Sequence, residues 1–276
     1  MRAAIKLNSD RMISRLLPFL PSVSNPEHII PGKEKNISIS DYLSSISTIK
    51  FNSTFKSTSE NRHLISRRLL KRYLPAEPVI LDIGASTGTT SLELMDFLNY
   101  EFGSYFVTDH NLEIRYSIDT NERVFFYDDA DECILIGGEY LVYYPKELEL
   151  IECIFRNAIS RNRNKTELML LVDPRLRSVS QVKTNVIVEK YSIFDPWPLQ
   201  TPNVIIVGNL LNRSYFSDEK LSAAINNLNN ICMDHGYLLI VENRNSEQGG
   251  LYQKRDKGFH LVEEIGSGSD IHELII

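Results

Sequence analysis

The most constraining feature of this sequence is a strand, a glycine turn and a helix in direct succession. Residues 79–83 form a short apolar run that contains Asp82, and this run leads through Gly84 and Gly88 into a helical pattern. Glycines at such a junction let the backbone turn tightly, and the first N–H groups of a helix favour negatively charged ligand groups. A carboxylate at the carboxyl end of the strand suits a cationic ligand group. The stretch therefore predicts a nucleoside site in an α/β sheet.

The pattern around this motif predicts the architecture. From Pro78 onward, short apolar runs alternate with helical segments, which is typical of a doubly wound, mostly parallel sheet. Residues 1–74 are predicted to form a helical N-terminal cap, with a capping box at residues 57–60 that opens a helix. Residues 75–276 then form the main domain, and residues 113–144 are predicted to be a β-rich insertion in it. The segments 259–265 and 271–276 are expected to pair as a closing hairpin.

Composition excludes several classes of protein. Lys and Arg number 30 against 36 Asp and Glu, which gives a net charge of -6, so neither a nucleic acid nor an anionic membrane is an expected partner. The longest apolar runs are shorter than the roughly 20 residues that cross a bilayer. Cys133, Cys153 and Cys232 follow neither a disulfide nor a zinc pattern. We therefore expect a cytoplasmic protein without a metal site.

Two other glycine motifs are excluded by spacing. A phosphate-binding P-loop requires Lys and then Ser or Thr after its last glycine, whereas Gly88 is followed by Thr89 and Thr90. The dinucleotide motif G-x-G-x-x-G is absent because three residues separate Gly84 from Gly88. ATP, GTP and NAD are therefore disfavoured as ligands.

The motif resembles the first motif of class I S-adenosylmethionine-dependent methyltransferases, and the resemblance covers roughly residues 75–276. Asp82, Gly84 and Gly88 match the acidic residue and two of the three glycines of that family, and Ser86 replaces the middle glycine. The resemblance implies a Rossmann-like sheet of seven strands with S-adenosylmethionine as cofactor. In the family, an acidic residue at the end of the second strand binds the ribose hydroxyls, and Asp109 occupies that position here.

Other family positions are matched more loosely. Ser192 stands where the family has an acid that binds adenine, and Asp195 is a substitute if the loop is shifted. Asn209 lies in a stretch similar to the branch that methylates chemotaxis-receptor glutamates. The resemblance thus implies that the cofactor-binding residues are Asp82, Gly84, Ala85, Ser86, Gly88, Asp109, His110, Ser192, Ile193 and Asn209.

These observations predict methyl transfer from S-adenosylmethionine to a small-molecule or protein acceptor. In-line displacement at an activated methyl group depends mainly on positioning, and no catalytic residue stands out in the sequence. The first alternative is a non-catalytic S-adenosylmethionine-binding partner or sensor. An RNA methyltransferase is a further alternative, although the basic residues between Arg62 and Arg72 are more typical of a solvated helix face. An NAD-dependent enzyme ranks last.

Overall fold

The chain divides into two compact units. The computed structural model describes residues 3–6, 19–33, 37–51, 54–56, 59–243, 245–256 and 258–276. One unit combines residues 1–58 with Glu113–Leu171, and the other combines Ser59–Leu112 with Val172–Ile276. The expected division into residues 1–74 and 75–276 therefore differs from the observed packing.

The elements are numbered along the described part of the chain. The strands are β1 (Ala3–Lys6), β2 (Ser22–Val23), β3 (Lys50–Phe51), β4 (Thr54–Phe55), β5 (Val79–Ile83), β6 (Ser104–Asp109), β7 (Glu113–Ile118), β8 (Val124–Tyr127), β9 (Cys133–Gly137), β10 (Leu141–Tyr143), β11 (Glu167–Leu170), β12 (Val186–Lys190), β13 (Val204–Gly208), β14 (Tyr237–Asn243), β15 (Glu247–Arg255) and β16 (Gly258–Ile265). The helices are α1 (Ile39–Ile46), α2 (Leu64–Tyr73), α3 (Thr89–Phe97), α4 (Glu149–Arg163), α5 (Pro174–Val182), α6 (Asp218–Ile231) and α7 (His272–Ile275). Two short 3₁₀ helices in the same part of the chain span Pro26–Ile29 and Pro145–Glu147.

The sheet of the second unit has the strand order β12-β6-β5-β13-β14-β15-β16. Neighbouring strands from β12 to β14 are parallel, and β15 and β16 continue the sheet in antiparallel fashion. The α/β fold with a seven-stranded sheet is confirmed, and the sheet is mixed. The strand order reverses between β5 and β13, and ligands of open α/β sheets bind at such a switch point, outside the carboxyl ends of the strands.

The first unit is built on a second seven-stranded sheet, in the order β11-β7-β8-β9-β10-β1-β2. Its strands pair in antiparallel fashion except for β1 and β2. Phe125 and Phe126 are fully buried neighbours on β8, and successive side chains of a strand point to opposite faces. Phe126 packs in the cluster that contains Tyr42 of α1, whereas Phe125 packs with Ile159 of α4. The sheet is therefore covered by helices on both faces.

The N-terminal region is not the helical cap that the sequence predicts. β1 pairs with β10 in the register Ala3 to Tyr143, so the N-terminal strand completes the sheet of the insertion. That sheet also includes β11, and the insertion consequently extends beyond residue 144 to Leu171. The predicted capping box does not open a helix: residues 57 and 58 lie outside the described residues, and α2 begins only at Leu64.

The predicted closing hairpin between segments 259–265 and 271–276 is wrong, because the first segment has another partner and the second is not a strand. β16 pairs with the preceding β15, and residues 272–275 form the short helix α7. β15 was not predicted as a strand because Gly249 and Gly250 interrupt the alternation of apolar and polar residues that marks a strand. Gly249 has a φ of 152°, and a Cβ there would lie 2.1 Å from the carbonyl oxygen of Ile240. The glycine is thus required for β15 to approach β14.

None of the helices in the described part of the chain combines the length and the apolar character that a bilayer crossing needs.

Candidate functional site

The loop after β5 adopts left-handed backbone conformations at alternate residues. The φ angles of Gly84, Ser86 and Gly88 are 73°, 57° and 75°. Ala85 donates its backbone N–H to the carbonyl of Thr108 on β6 at 2.9 Å. The loop therefore follows β5, contacts the end of β6 through Ala85 and continues into α3. Ser86 tolerates a conformation that is unfavourable for residues with a Cβ by about 1–2 kcal/mol.

Gly88 is favoured by its left-handed backbone, with a φ of 75°, and by close packing. A Cβ on Gly88 would lie 2.2 Å from Cδ2 of Leu176 on α5 and 3.1 Å from Val107. A Cβ on Gly84 would lie 2.9 Å from Leu210, which follows β13. Both glycines thus keep the loop close to its neighbours.

Asp109 is brought directly to this loop. Its Oδ2 accepts the backbone N–H of Ser86 at 2.8 Å, and its Oδ1 accepts the N–H of Asn111 at 2.8 Å. A carboxylate that receives backbone N–H groups is held in one orientation. Asp109 is half-buried, and the adjacent His110 is exposed at the same end of β6. The acid and the glycine loop that the sequence placed in one site are therefore neighbours.

Asp82 is buried, whereas a carboxylate that binds a ligand has to be accessible. It is buried inside the unit, where it accepts hydrogen bonds from the hydroxyls of Ser91 at 2.7 Å and Tyr105 at 3.2 Å. Burial raises the pKa of Asp82 from 3.8 to about 6, against the lowering effect of these two hydroxyls. The carboxylate ties β5 to α3 and β6 beneath the loop.

The segment after β12 lies beside the end of β6. Tyr191 donates its backbone N–H to the carbonyl of Asp109 at 3.3 Å. Ile193 is buried, and the half-buried Ser192 accepts the N–H of Phe194 through Oγ at 3.3 Å. Ser192 and Ile193 thus stand on the Asp109 side of the switch point.

Asn227 of α6 holds this segment in place. Its Nδ2 group donates to the carbonyl of Ile193 at 2.8 Å and to that of Asp195 at 2.7 Å. The hydroxyl of Tyr191 also donates to the Asp195 carbonyl, at 2.8 Å. The backbone of residues 191–195 is therefore held from within the unit.

Asn209 lies on the other side of the switch point, at the end of β13. Its backbone is left-handed, with a φ of 55°. Its Oδ1 accepts the N–H of Asn243 at 2.6 Å, and its Nδ2 lies 3.4 Å from Nε2 of His63. Asn209 thus links the ends of β13 and β14 to the residue that precedes α2.

His63 is a neighbour of Asn209 that the sequence did not indicate. It is the N-cap of α2 but makes no side-chain cap hydrogen bond. Burial lowers the pKa of His63 from 6.5 to about 4; Glu247 opposes this shift and Arg62 adds to it. The imidazole is therefore neutral at physiological pH.

Glu247 anchors α2 from the distant strand β15. Its buried carboxylate accepts the N–H groups of Ile65 at 2.7 Å and Ser66 at 2.9 Å. A negative charge at this end of a helix satisfies unpaired donors and complements the helix dipole. No local pattern near residue 63 reveals this contact, because its acceptor is supplied from β15.

The residues before α2 connect to the same end of the sheet. Asn243 donates through Nδ2 to the carbonyl of Arg62 at 2.6 Å, and Arg175 forms an ion pair with Glu60 at 2.9 Å. Arg175 also binds Asp173, a fully buried carboxylate, at 2.7 Å. The segment 59–63 is thus joined both to β14 and to the start of α5.

Three of the four basic side chains of α2 make contacts within the unit. Arg72 forms an ion pair with Glu263 at 2.6 Å, Arg67 lies 3.8 Å from Glu93, and Lys71 lies over the ring of Phe97. The ion pairs of Arg72 and Arg67 reduce the positive charge that α2 offers to a polyanionic ligand.

Comparisons with known proteins give structural similarity only. No protein-family model matches the chain, and no curated protein matches it in sequence. The N-methyltransferase NodS from Bradyrhizobium japonicum WM9, in complex with S-adenosyl-L-homocysteine, is 12% identical with a TM-score of 0.35, over 64% of this chain and 59% of NodS. Human N-acetylserotonin methyltransferase, in complex with S-adenosylmethionine, is 13% identical with a TM-score of 0.34, over 74% of this chain and 39% of the enzyme.

A third solved structure, a variant of LepI in complex with S-adenosylhomocysteine and a substrate analogue, is 12% identical with a TM-score of 0.34, over 80% of this chain and 38% of LepI. The chain thus spans between 38% and 59% of the length of these three proteins. Similarity at this level assigns no family.

Proposed function

We propose that the second unit binds S-adenosylmethionine and transfers its methyl group to a small-molecule or protein acceptor. The observation that carries this proposal is the contact between Asp109 and the backbone of Ser86 at the switch point of the sheet. It joins an acid at the end of β6 to a glycine loop that leads into a helix, which is the arrangement suited to a nucleoside.

The residues present fit this cofactor. A carboxylate can accept about four hydrogen bonds, so the N–H groups of Ser86 and Asn111 are compatible with ribose hydroxyls on the same group. The left-handed residues Gly84, Ser86 and Gly88 curve the backbone into a cradle at the start of α3. The sequence of the loop and its conformation thus support the same ligand.

Each part of the site has a distinct task under this proposal. Asp109, with His110 beside it, holds the ribose, and the loop from Gly84 to Gly88 lines the cofactor through its backbone. Ser192 and Ile193 hold the adenine, and Asn209 lies at the opposite end of the site. S-adenosylmethionine supplies a methyl group activated by positively charged sulfur, so the protein's contribution is to position the acceptor. Asp82 supports the loop from below.

Calorimetric titration with S-adenosylmethionine and S-adenosylhomocysteine tests the proposal, with NAD as the control ligand. We expect both sulfur ligands to bind and NAD to fail. Asp109→Ala should weaken binding by about tenfold to a hundredfold, because it removes a charge-assisted hydrogen bond to the ribose that is worth about 1.5–3 kcal/mol. Asp234→Ala is the matched control, since Asp234 is 82% exposed and precedes β14 at the other end of that strand. A folded protein that binds neither sulfur ligand would refute the proposal.

One observation favours a non-catalytic S-adenosylmethionine-binding protein as the second candidate. Ser192 offers a hydroxyl, already engaged with the N–H of Phe194, where an acid would be expected to bind adenine. Formation of S-adenosylhomocysteine over a panel of amine, hydroxyl, thiol and carboxylate acceptors separates the two functions. Binding without turnover over the whole panel would favour the second.

A further inference from the structure

Helix α4 of the first unit carries apolar side chains on its solvent side as well as on its buried side. It packs on the sheet through buried residues that include Ile151 and Ile159. Leu150 and Ile154, in contrast, are 62% and 67% exposed, and Cys153 is exposed as well. Side chains three and four positions apart are neighbours on a helix surface. Leu150, Cys153 and Ile154 therefore form one apolar patch, named here the α4 patch.

A further exposed apolar side chain lies on the same face of the sheet. Leu168 of the edge strand β11 is 59% exposed. It pairs with Arg115 on β7, which in turn pairs with Tyr127 on β8. Directly paired residues point to the same face of a sheet, and the hydroxyl of Tyr127 donates to the carbonyl of Ile159 in α4 at 3.0 Å. Leu168 thus lies on the face that α4 covers, and several exposed apolar side chains on one face are typical of an interaction surface.

The charges beside the α4 patch indicate which partner fits it. Glu149 stands four residues before Cys153, and Arg156 stands three residues after it. Both side chains are exposed, and Nη2 of Arg156 donates to Sγ of Cys153 at 3.2 Å, so Arg156 lies against the patch. With a rise of about 1.5 Å per residue, the two charges are about 6 Å and about 4.5 Å from Cys153 along the helix, in opposite directions. Two copies of α4 that pack antiparallel about Cys153 would therefore bring each Glu149 beside the other copy's Arg156.

The order of charges along the whole helix favours the same arrangement. The first turn of α4 contains Glu149 and Glu152, and the last turn contains Arg161 and Arg163. Two parallel copies would place like charges side by side at both ends, whereas two antiparallel copies place opposite charges there. The helix dipoles also attract each other in the antiparallel arrangement. The surface of α4 is thus complementary in charge to a second copy of itself, which a two-fold symmetric interface requires.

We propose that the first unit self-associates through α4. Two copies of the helix pack antiparallel about a two-fold axis at Cys153, and they bury Leu150 and Ile154 between them. Such an interface is small, because each copy contributes mainly one helix, so we expect a dissociation constant of about 1–100 μM. This inference is independent of the proposed function and concerns a surface of the first unit alone.

Sedimentation velocity over a concentration series tests the proposal. Between about 1 and about 200 μM, we expect the average mass of the wild-type protein to rise from that of one chain toward that of two. Ile154→Glu places two like charges next to each other at the axis and should weaken association by at least about tenfold. Val182→Glu is the matched control, since Val182 on α5 is 82% exposed and lies outside the surface. A wild-type protein that stays monomeric throughout, or a dimer that persists in Ile154→Glu, would overturn the proposal.

A charge exchange tests the antiparallel arrangement. Glu149→Arg and Arg156→Glu each bring like charges together across the axis, and each should weaken association by at least about fivefold at low salt. The variant with both substitutions restores opposite charges at these positions and should return to within about twofold of the wild-type affinity. A double variant that associates no better than the single variants would contradict the antiparallel contact.

Oxidation of the wild-type protein with diamide locates the axis. Diamide takes the two hydrogens from a pair of thiols, which become a disulfide, and the Cα atoms must approach within about 7 Å of each other for this bond to form. Cys133 and Cys232 are buried, so Cys153 is the accessible thiol of the three. We expect a disulfide-linked dimer in the wild type, none in Cys153→Ser and a much lower yield in Ile154→Glu. Equal yields in the wild type and Ile154→Glu would show that the disulfide results from random collision and would contradict the axis at Cys153.

Discussion

The carboxylate of Asp109 and the backbone N–H of Ser86 form a 2.8 Å hydrogen bond that joins the end of one parallel strand to the loop that follows its neighbour. The two residues are 23 positions apart in sequence. The loop is left-handed at Ser86, which a Cβ-bearing residue adopts only when the surrounding structure holds it. Asp109 supplies one of those constraints, so it shapes the site as well as lining it.

This relationship predicts a stability effect in the absence of ligand. Asp109→Ala leaves the N–H groups of Ser86 and Asn111 without their acceptor, and we expect the free energy of unfolding to fall by about 1–3 kcal/mol in urea titrations. Asp109→Asn retains an acceptor oxygen and should cost less. Asp234→Ala is the exposed control. Equal stability of Asp109→Ala and the wild type would show that the loop does not depend on this contact.

Asp82 predicts a defined pH dependence. Its folded pKa of about 6 lies above its ordinary value of 3.8, so the folded state binds the proton more tightly than the unfolded state. The resulting stability is present below about pH 4 and is lost as the pH rises through about 6. The expected loss is about 3 kcal/mol. Asp82→Asn has no ionisable group at this position and should lack this component.

The measurement is the difference in unfolding free energy between wild type and Asp82→Asn, taken at about pH 4.5 and about pH 7.5. We expect the variant to gain relative to the wild type as the pH rises. A difference that is independent of pH would mean that Asp82 is ionised in the folded state at both values.

Gly88 and Leu176 predict a coupled pair of substitutions. Gly88→Ala introduces a Cβ at a φ of 75° and 2.2 Å from a methyl group of Leu176. We expect it to destabilise the protein by at least about 2 kcal/mol, from backbone strain and overpacking together. In the double variant with Leu176→Ala, the overpacking disappears, so the combined loss should be smaller than the sum of the two single losses.

The control for this pair is Gly258→Ala. A Cβ on Gly258 has no neighbour within 4 Å, so its effect should stay within about 0.5 kcal/mol. Urea unfolding of the four variants and the wild type gives all of the differences. Strict additivity of Gly88→Ala and Leu176→Ala would contradict the contact.

Asn227 predicts an effect on binding through the segment 191–195. Asn227→Asp keeps the size of the side chain but replaces the donors to the carbonyls of Ile193 and Asp195 by a carboxylate. Under the proposed function, we expect S-adenosylhomocysteine to bind about tenfold more weakly, because the adenine-binding backbone is no longer held. The exposed Asn226→Asp on the same helix is the matched control for calorimetry. Unchanged affinity in Asn227→Asp would remove this segment from the site.

The sequence predicted those parts of the second unit that depend on residues adjacent in the chain. The strand, glycine turn and helix around Gly84 are read from adjacent residues, and the proximity of Asp109 follows from parallel pairing. The direction of the Asp82 side chain was not predictable, because it depends on Ser91 and Tyr105 offering hydroxyls from two other elements. The place of His63 was hidden for a similar reason, since it depends on a carboxylate of β15.

The first unit was the least predictable part of the chain. Its sheet requires Ala3 to pair with Tyr143, and a pairing over 140 positions leaves no local pattern in sequence. The glycines of β15 hid the last hairpin in the second unit, because they interrupt the apolar alternation that marks a strand.

The hydrogen bonds between Glu247 and the start of α2 affect the order in which a nascent chain can fold. Ile65 is translated 182 residues before its acceptor, and at about 5–20 residues per second that interval lasts roughly 10–40 s. During this time α2 lacks its anchor, and His63 cannot be held over β13. A ribosome-bound chain should therefore fix the start of α2 against the sheet only after β15 has emerged, well after the Gly84 loop and Asp109 have been translated.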